Sequence, residues 1–297
     1  MIKYFQLAII LISLKGFTQS NPSLFAGSAE PQLISKQFAF TEGPAADKKG
    51  NLYFTDQPND KIWKYDTDGK LSVFLDKTGR SNGMYFDNKG NLFTAADEHN
   101  EVWCISPKGK IKVLVKNFQG HRLNGPNDLW VSRKGGLYFT DPYYPRNYWD
   151  RKTADAGLGG EKVYYLPKGK SDPVVIDDSI KKPNGLVGTP DGKTLYVSDI
   201  GSSKVYKYDI NPDGTLGNRK LFANVQTDGM TIDEKGNLYF AGNGVSIYNS
   251  NGEKIDQIKV PARWTANVCF GGKNNNILFI TASESVFMLP MNVKGAR

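Results

Sequence analysis

Six similar strand openings in this sequence are each preceded by a polar residue whose side chain carries an oxygen atom. The upstream residue lies ten or eleven positions before the first leucine of each opening. The openings begin at Leu52, Leu92, Leu137, Leu195, Leu238 and Leu278, and the upstream residues are Glu42, Asn82, Asn127, Asn184, Asp228 and Asn267. Carboxylate and amide oxygens are the ligands that hard divalent cations prefer. If the six repeats close into a ring, these oxygens converge on its axis and can form a metal site.

Five of the six upstream residues lead a short turn-like pair, such as Glu42-Gly43 or Asn184-Gly185. Asn-Gly and Asp-Gly pairs are common in turns, so one such pair alone indicates no more than a turn. Six polar residues in the same phase, among them a glutamate that turns seldom use, favour a central polar site instead.

The repeat length predicts the fold. Successive leucines are 40, 45, 58, 43 and 40 residues apart, and periods of about 40–50 residues are typical of propeller blades. Each repeat alternates apolar and polar residues between Asp/Gly turns, which is the pattern of antiparallel hairpins. We therefore predict an all-β, six-bladed β-propeller that occupies residues 21–297 as one domain. A β-sandwich or two small β domains is the alternative, but neither explains a polar residue at constant phase.

The first twenty residues, 1–20, have the pattern of a secretory signal peptide. Lys3 supplies a basic start, Phe5 to Leu14 form an apolar core too short to span a bilayer comfortably, and small residues lie near Ser20. We expect an exported protein, periplasmic or secreted, whose mature chain begins near Asn21. No other segment approaches a membrane span.

Composition excludes several kinds of site. The formal net charge is +8, but the lysines are scattered over turns, so we expect no nucleic-acid partner. Cys104 and Cys269 lie in repeats two and six, and we expect free buried thiols rather than a disulfide or a nucleophile. The only histidines are His99 and His121, which argues against a zinc site built from His and Cys.

The carboxylates of the repeat suit one class of cation. Glu42 and Asp228 would balance the charge of a divalent ion, and Asn127 and Asn184 would add amide oxygens. An oxygen-only site favours Ca²⁺, with Mg²⁺, Mn²⁺ or Zn²⁺ as possible substitutes. The amides of the two remaining repeats could be ligands, neighbours of the ligands or substrate contacts; they are Asn82 and Asn267.

Four segments around these residues resemble the signature segments of the senescence-marker-protein (regucalcin)/gluconolactonase family, and the resemblance runs from about Phe38 to the C-terminus. The segments are Thr41-Glu42-Gly43-Pro44, Leu123-Asn124-Gly125-Pro126-Asn127-Asp128, Pro183-Asn184-Gly185-Leu186 and Thr227-Asp228-Gly229-Met230. The resemblance implies a six-bladed propeller with a divalent cation at one end of its channel, and hydrolysis of lactones, commonly sugar lactones. It implies that Glu42, Asn184 and Asp228 bind the cation and that Asn127 lies beside cation and substrate.

The chain departs from that family where the substrate would bind. Some members carry a basic residue two positions before the Asn that matches Asn127, but this chain has Gly125 there and its nearest arginine is Arg122. The 58-residue step also holds an aromatic insertion from Pro142 to Gly160, either a loop over one mouth of the ring or a surface excursion. The candidate substrate contacts are Asn82, Asn127, Arg122 and Tyr143.

For the chemistry, Asp228 is the candidate general base or, as a second choice, the nucleophile. The sequence contains no G-x-S-x-G elbow, and two histidines leave little scope for a serine triad. We expect a monomeric, cation-dependent hydrolase of a small-molecule lactone. Two alternatives remain: a non-catalytic propeller that binds a sugar or a protein around a structural metal, or an esterase or phosphotriesterase on a similar scaffold, as in paraoxonase and diisopropylfluorophosphatase.

Overall fold

Twenty-four strands form six four-stranded antiparallel sheets in the computed structural model, which describes residues 24–25, 29–150 and 152–296. The predicted signal peptide, 1–20, lies outside the described residues. The described helices are three single 3₁₀ turns, Gln57–Asn59, Asp97–His99 and Ala156–Leu158. In these ranges no helix has the length and apolar character needed to cross a bilayer.

In five sheets, which we call blades 1–5, four consecutive strands run from the innermost position to the outermost. Blade 1 contains β2 (Thr41–Ala46), β3 (Leu52–Asp56), β4 (Lys61–Tyr65) and β5 (Leu71–Asp76). Blade 2 contains β6 (Ser81–Phe86), β7 (Leu92–Ala96), β8 (Glu101–Ile105) and β9 (Ile111–Val115). Blade 3 contains β10 (Leu129–Val131), β11 (Leu137–Asp141), β12 (Lys162–Leu166) and β13 (Val174–Asp177). Blade 4 contains β14 (Pro183–Gly188), β15 (Thr194–Asp199), β16 (Lys204–Ile210) and β17 (Leu216–Ala223). Blade 5 contains β18 (Met230–Ile232), β19 (Leu238–Gly242), β20 (Gly244–Tyr248) and β21 (Lys254–Ile258).

Blade 6 joins the two ends of the chain and closes the ring. Its inner strands are β22 (Asn267–Gly271), β23 (Ile277–Ala282) and β24 (Ser285–Pro290), and its outermost strand is β1 (Gln32–Ser35), which pairs antiparallel with β24. The innermost strands contact one another in the cyclic order β2, β6, β10, β14, β18, β22 and back to β2. The predicted six-bladed β-propeller is confirmed.

The turn between the first and second strands shows why the repeat folds in this way. In blade 1, Oδ1 of Asp47 accepts hydrogen bonds from the backbone N–H of Lys49 and Asn51, and its Oδ2 accepts from Asn51 Nδ2. Gly50 adopts φ +87°, a conformation that favours glycine. The same side-chain bonds recur in Asp87–Asn91 and Asp233–Asn237. The recurring Asp-x-x-Gly-Asn-Leu pattern therefore encodes the turn that opens a blade.

Neighbouring blades pack face to face, so their second strands are buried on both sides. Every residue of β3 and of β11 is buried. Tyr53 of β3 makes edge-to-face contacts with Phe74 of its own blade and Phe86 of blade 2. This double burial explains why the strand openings begin with successive apolar and aromatic residues, as in Leu52-Tyr53-Phe54.

The two cysteines are free, as predicted. Cys104 lies in β8 and Cys269 in β22, and each is partly buried. Burial raises the pKa of both thiols, so neither is set up as a thiolate nucleophile.

Close approach of neighbouring inner strands requires glycine at Gly43. Its φ is +45°, and an added Cβ would lie 1.9 Å from the carbonyl oxygen of Asn82 in blade 2. Gly109 also has a positive φ, +79°, but nothing lies within 4 Å of its added Cβ. We expect Gly43→Ala to lower the free energy of unfolding by roughly 1–3 kcal/mol more than Gly109→Ala does, because only Gly43 adds overpacking to the backbone strain. Denaturant unfolding of the two variants measures the difference, and equal losses would contradict this close packing.

Candidate functional site

Direct contacts between neighbouring blades show that the six polar residues encircle the axis. Blade 6 meets blade 1 where Asn267 Nδ2 lies 3.4 Å from Glu42 Oε2. The backbone N–H of Gly83 donates to the carbonyl of Asn127 at 2.7 Å, and that of Gly185 donates to the carbonyl of Asp228 at 3.0 Å. These contacts join blade 2 to blade 3 and blade 4 to blade 5.

Of the three remaining junctions, two are made by glycine packing and one by a hydrogen bond to a side chain. Glycine packs against the polar residue of the next blade where Gly43 meets Asn82 and where Gly229 meets Asn267, since an added Cβ would lie 1.9 Å from an atom of each neighbour. Between blades 3 and 4, the backbone N–H of Leu186 donates to Asp128 Oδ2 at 3.4 Å. The glycine that follows four of the six polar residues is thus a packing requirement of the ring; these glycines are Gly43, Gly83, Gly185 and Gly229.

Asp128 is a third carboxylate at the ring that the sequence analysis did not include among the site residues. It occupies the position that Gly43, Gly83 and Gly185 hold in other repeats, and this substitution was the signal that could have revealed it. Its Oδ1 accepts from the N–H of Leu129 at 2.9 Å. Together with the bond from blade 4, this makes Asp128 a bridge between two inner strands as well as a buried acid.

The three carboxylates are electrostatically coupled. Burial raises the pKa of Asp128 to about 7 and the pKa of Asp228 to about 6, and it raises the pKa of Glu42 well above its usual value. The charge of Asp228 raises the pKa of the other two further. The ring therefore concentrates negative charge in a place where water screens it poorly.

Asp228 is held by side chains from two other segments. Trp264 Nε1 donates to Asp228 Oδ2 at 2.7 Å, and Asn184 also hydrogen-bonds the carboxylate. Asp228 retains partial solvent access, whereas Glu42 is buried. Of the two predicted carboxylate ligands, Asp228 is accordingly the less deeply buried residue.

The amides divide into two groups. The side chain of Asn267 is engaged in the protein, because its Oδ1 accepts from the N–H of Val268 at 2.8 Å and its Nδ2 faces Glu42. Of the alternatives for Asn267, this arrangement supports the one in which it lies beside the ligands of the cation. Asn82, Asn127 and Asn184 are buried at the ring as well, and their roles toward a cation or substrate stay predictions.

The donor set fits a hard divalent cation. Two carboxylates with raised pKa values, Glu42 and Asp228, lie close enough to repel each other, and a cation would relieve that repulsion. Within the described ranges no three His, Cys, Asp or Glu side chains form a metal-binding group by themselves. A cation here would have to be shared between carboxylates and the amides of Asn127 and Asn184, as the sequence predicts.

The insertion from Pro142 to Gly160 lies over the site end of the ring. Asn184 Nδ2 donates to the hydroxyl of Tyr144 at 3.0 Å. Lys182 Nζ donates to the carbonyl of Tyr143 at 2.9 Å and lies 4.7 Å from the centre of the Tyr144 ring. Of the two alternatives for this segment, the structure favours the loop over the mouth.

The roles of two other predicted substrate contacts, Arg122 and Tyr143, stay predictions. Arg122 is exposed, and the hydroxyl of Tyr143 donates to the carbonyl of Lys152 at 2.7 Å. The insertion also brings Tyr144 and Arg146 to the ring, where Tyr144 accepts from Asn184 and the charge of Arg146 lowers the pKa of Asp228. The sequence pattern could not predict that Arg146 lies at the ring, because the residues near it there belong to other blades.

The raised pKa values predict how the stability of cation-free protein depends on pH. A carboxyl group whose pKa is higher in the folded state holds its proton more tightly there, so it favours folding at low pH. That contribution is lost as pH rises from the unfolded value near 4 through the folded value of about 7 for Asp128. We expect the Tm measured in chelator to fall by at least about 5 °C between pH 5 and pH 8. Asp128→Asn should show a clearly smaller fall, and an identical profile for the two proteins would contradict the coupling.

Known proteins resemble this chain along most of its length. The sequence pattern described as the SMP-30/Gluconolactonase/LRE-like region matches residues 40–284. A gluconolactonase of Zymomonas mobilis is 32% identical over 286 residues, which cover 86% of this chain and 79% of that protein. A solved gluconolactonase structure from Xanthomonas campestris superposes with a TM-score of 0.82 at 31% identity, covering 89% of this chain and 90% of that one.

A more distant structure agrees in fold. Regucalcin from Agrobacterium tumefaciens superposes with a TM-score of 0.75 at 18% identity, covering 90% of this chain and 95% of that one. At this identity the likeness concerns the propeller alone. The match over residues 40–284, together with a relative that is similar over most of its length, confirms the predicted resemblance: the chain belongs to the SMP-30/gluconolactonase/LRE-like family.

Proposed function

We propose that this protein is a lactonase that hydrolyses sugar lactones at the ring site with the help of a divalent cation, most favourably Ca²⁺. The observation that carries the proposal is the cluster of carboxylates and amides around the ring, in which Asp228 is the least buried of the three carboxylates. The similarity to gluconolactonases of Zymomonas mobilis and Xanthomonas campestris supports lactone hydrolysis. The structure from Agrobacterium tumefaciens is described as that of a calcium-binding protein, which is consistent with the choice of cation.

Glu42, Asn127, Asn184 and Asp228 would hold the cation. A cation in this place supplies positive charge that polarises the lactone carbonyl. The chain contributes the remaining parts of the reaction. The hydrogen bond from Trp264 fixes one carboxylate oxygen of Asp228. The other oxygen can then take the proton of the attacking water.

Hydrolysis is completed by opening of the ring. The water oxygen bonds to the carbonyl carbon, the proton passes to Asp228, and the bond between carbonyl carbon and ring oxygen breaks. The departing oxygen takes that proton back from Asp228 and becomes a hydroxyl, so the product is a hydroxy acid and Asp228 regains its negative charge. The insertion that carries Tyr144 covers the mouth and limits access of bulk water to the reacting groups.

A panel of lactones, simple esters and phosphotriesters tests the function. We expect the purified protein to hydrolyse sugar lactones faster than esters, to lose activity in chelator, and to regain it when Ca²⁺ is added. Preference for esters or phosphotriesters would favour the hydrolase alternative on the same scaffold. Absence of turnover on the whole panel, with Ca²⁺ still raising the Tm, would favour a binding propeller with a structural cation.

We further propose that the protein is exported, on the strength of the basic start and ten-residue apolar core in residues 1–20. Mass spectrometry of protein from its native host should find a mature chain that begins near Asn21. An intact Met1 would contradict export through this segment.

A further inference from the structure

A buried carboxylate outside the ring, Asp97, ties the insertion down. Asp97 is 2% exposed. Its Oδ2 accepts three side-chain hydrogen bonds: from Gln57 Nε2 at 2.9 Å, Arg146 Nε at 3.2 Å and Tyr148 Oη at 2.7 Å. Two of the three donors belong to the insertion of blade 3, whereas Asp97 itself belongs to blade 2. The carboxylate thus connects the insertion to a blade that is remote in sequence.

In three blades an aspartate at the end of the second strand binds the backbone at the start of the inner strand, but in blade 2 a different carboxylate does so. Blades 1, 3 and 4 end their second strand with an aspartate that accepts from two successive N–H groups at the entry of the inner strand; these aspartates are Asp56, Asp141 and Asp199. In blade 2 that position is Ala96, and the acid comes one residue later. The entry N–H groups of Thr78 and Arg80 are bound instead by Asp60 of blade 1. Asp97 therefore lies one residue beyond the position of these aspartates, and its side chain binds the insertion.

The insertion also fits into a space that a glycine provides. Gly125 adopts φ +145°, and an added Cβ would lie 2.5 Å from Asp97 Oδ1 and 2.8 Å from Cζ2 of Trp149. Trp149 is 4% exposed and packs against Tyr143. The insertion is accordingly held in place by packing as well as by hydrogen bonds, whereas a surface excursion would lack such contacts.

Two side chains of the seated segment face the ring. Tyr144 accepts from Asn184, and its ring lies between two cations, with Arg146 Cζ 5.3 Å and Lys182 Nζ 4.7 Å from its centre. The charge of Arg146 acts on Asp228. A guanidinium carries five N–H donors, and the bond from Nε to Asp97 uses one of them.

We propose that Asp97 is a positioning residue that fixes the insertion, so that Arg146 donates hydrogen bonds to the carbonyl oxygen of the bound lactone and to the carboxylate of its hydroxy-acid product. The proposal rests on the proposed lactone hydrolysis for the identity of the ligand. Arginine suits this task because its planar fork matches a carboxylate, which a lysine cannot reproduce. The position of the insertion itself depends only on contacts within the protein.

Kinetics of four variants test the proposal, with sugar lactone as substrate. We expect Arg146→Gln to lower kcat/KM by about 10²-fold, as loss of a donor to a developing negative charge does, and Arg146→Lys to recover part of the loss. Asp97→Asn should lower kcat/KM by about tenfold. The double variant Asp97→Asn/Arg146→Gln should be no worse than Arg146→Gln, because Asp97 acts through Arg146. Additive losses would overturn the proposal, since a merely structural role predicts independent effects.

The matched control comes from the same turn. Glu98 pairs with Arg80 at 3.3 Å, as Asp97 pairs with Arg146 at 3.2 Å. We expect Glu98→Gln to leave kcat/KM within about twofold of wild type. A loss equal to that of Asp97→Asn would show that any charge removed from this turn has the same effect, and would overturn the specific role of Asp97.

Hydrogen exchange separates this proposal from the proposed function. Without substrate, Asp97→Asn should increase exchange in peptides that span Tyr143 to Trp149, while Glu98→Gln should not. If wild type hydrolyses no lactone, the proposed function fails, but increased exchange would still support the anchoring of the insertion. Unchanged exchange in Asp97→Asn would overturn the anchoring whether or not the protein is a lactonase.

Discussion

Asp228→Asn is expected to lower kcat by about 10²- to 10⁴-fold, the usual cost of removing a general base. The change preserves the size of the side chain and one oxygen that can face a cation, but it removes the negative charge that accepts the proton. Trp264 can still donate to the amide oxygen of the new side chain, so the geometry around the residue should persist. Steady-state kinetics on a sugar lactone at saturating Ca²⁺ measure the effect.

Saturating Ca²⁺ distinguishes a chemical role for Asp228 from a role in binding alone. If Asp228 only helps to hold the cation, excess Ca²⁺ should restore kcat. If it accepts the proton, kcat should stay low while the Ca²⁺-dependent rise in Tm returns. A kcat within about threefold of wild type would remove Asp228 from the proton transfer.

Glu42→Gln is expected to reverse the order of stability between cation-free and cation-bound protein. In chelator the variant should be at least as stable as wild type, because it removes one buried charge from a group of mutually repelling carboxylates. At a Ca²⁺ concentration about 100-fold above its Kd, wild type should gain about 2.7 kcal/mol by mass action. This corresponds to a rise in Tm of roughly 5–10 °C for a chain of this size.

The variant should gain little at the same concentration, since the site keeps one carboxylate instead of two. Thermal unfolding of both proteins with and without Ca²⁺ measures the reversal, and Gly109→Ala serves as a control whose stability loss should not depend on Ca²⁺. Equal Ca²⁺-dependent shifts in wild type and Glu42→Gln would contradict a cation at this position. A wild type that binds no divalent ion at millimolar concentration in calorimetry would remove the cation from the site.

The ring itself could be predicted from the sequence because its determinants are local and periodic. Blades 1, 2 and 5 repeat the Asp-x-x-Gly-Asn-Leu turn, and all six blades place a polar residue such as Glu42 or Asp228 ten or eleven positions before the first leucine of the second strand. A repeated unit that cannot bury both sheet faces alone must stack on its copies. Residues at the same place in every repeat therefore lie at equivalent positions around the axis. For this reason the fold and the six polar residues could be predicted from the sequence alone.

The surroundings of the ring were decided by tertiary structure. Trp264 binds Asp228 across 36 residues of sequence, and Arg146 binds Asp97 across 49. Neither contact repeats from blade to blade, so no periodic signal records it. Asp128 lies between these cases, because the sequence shows it in place of a glycine but only the packed ring reveals the burial that raises its pKa. Residues that recur in every blade have equivalent neighbours, because the blades are related by the symmetry of the ring. The insertion occurs once, so its contacts depend on a single packing arrangement that no repeat predicts.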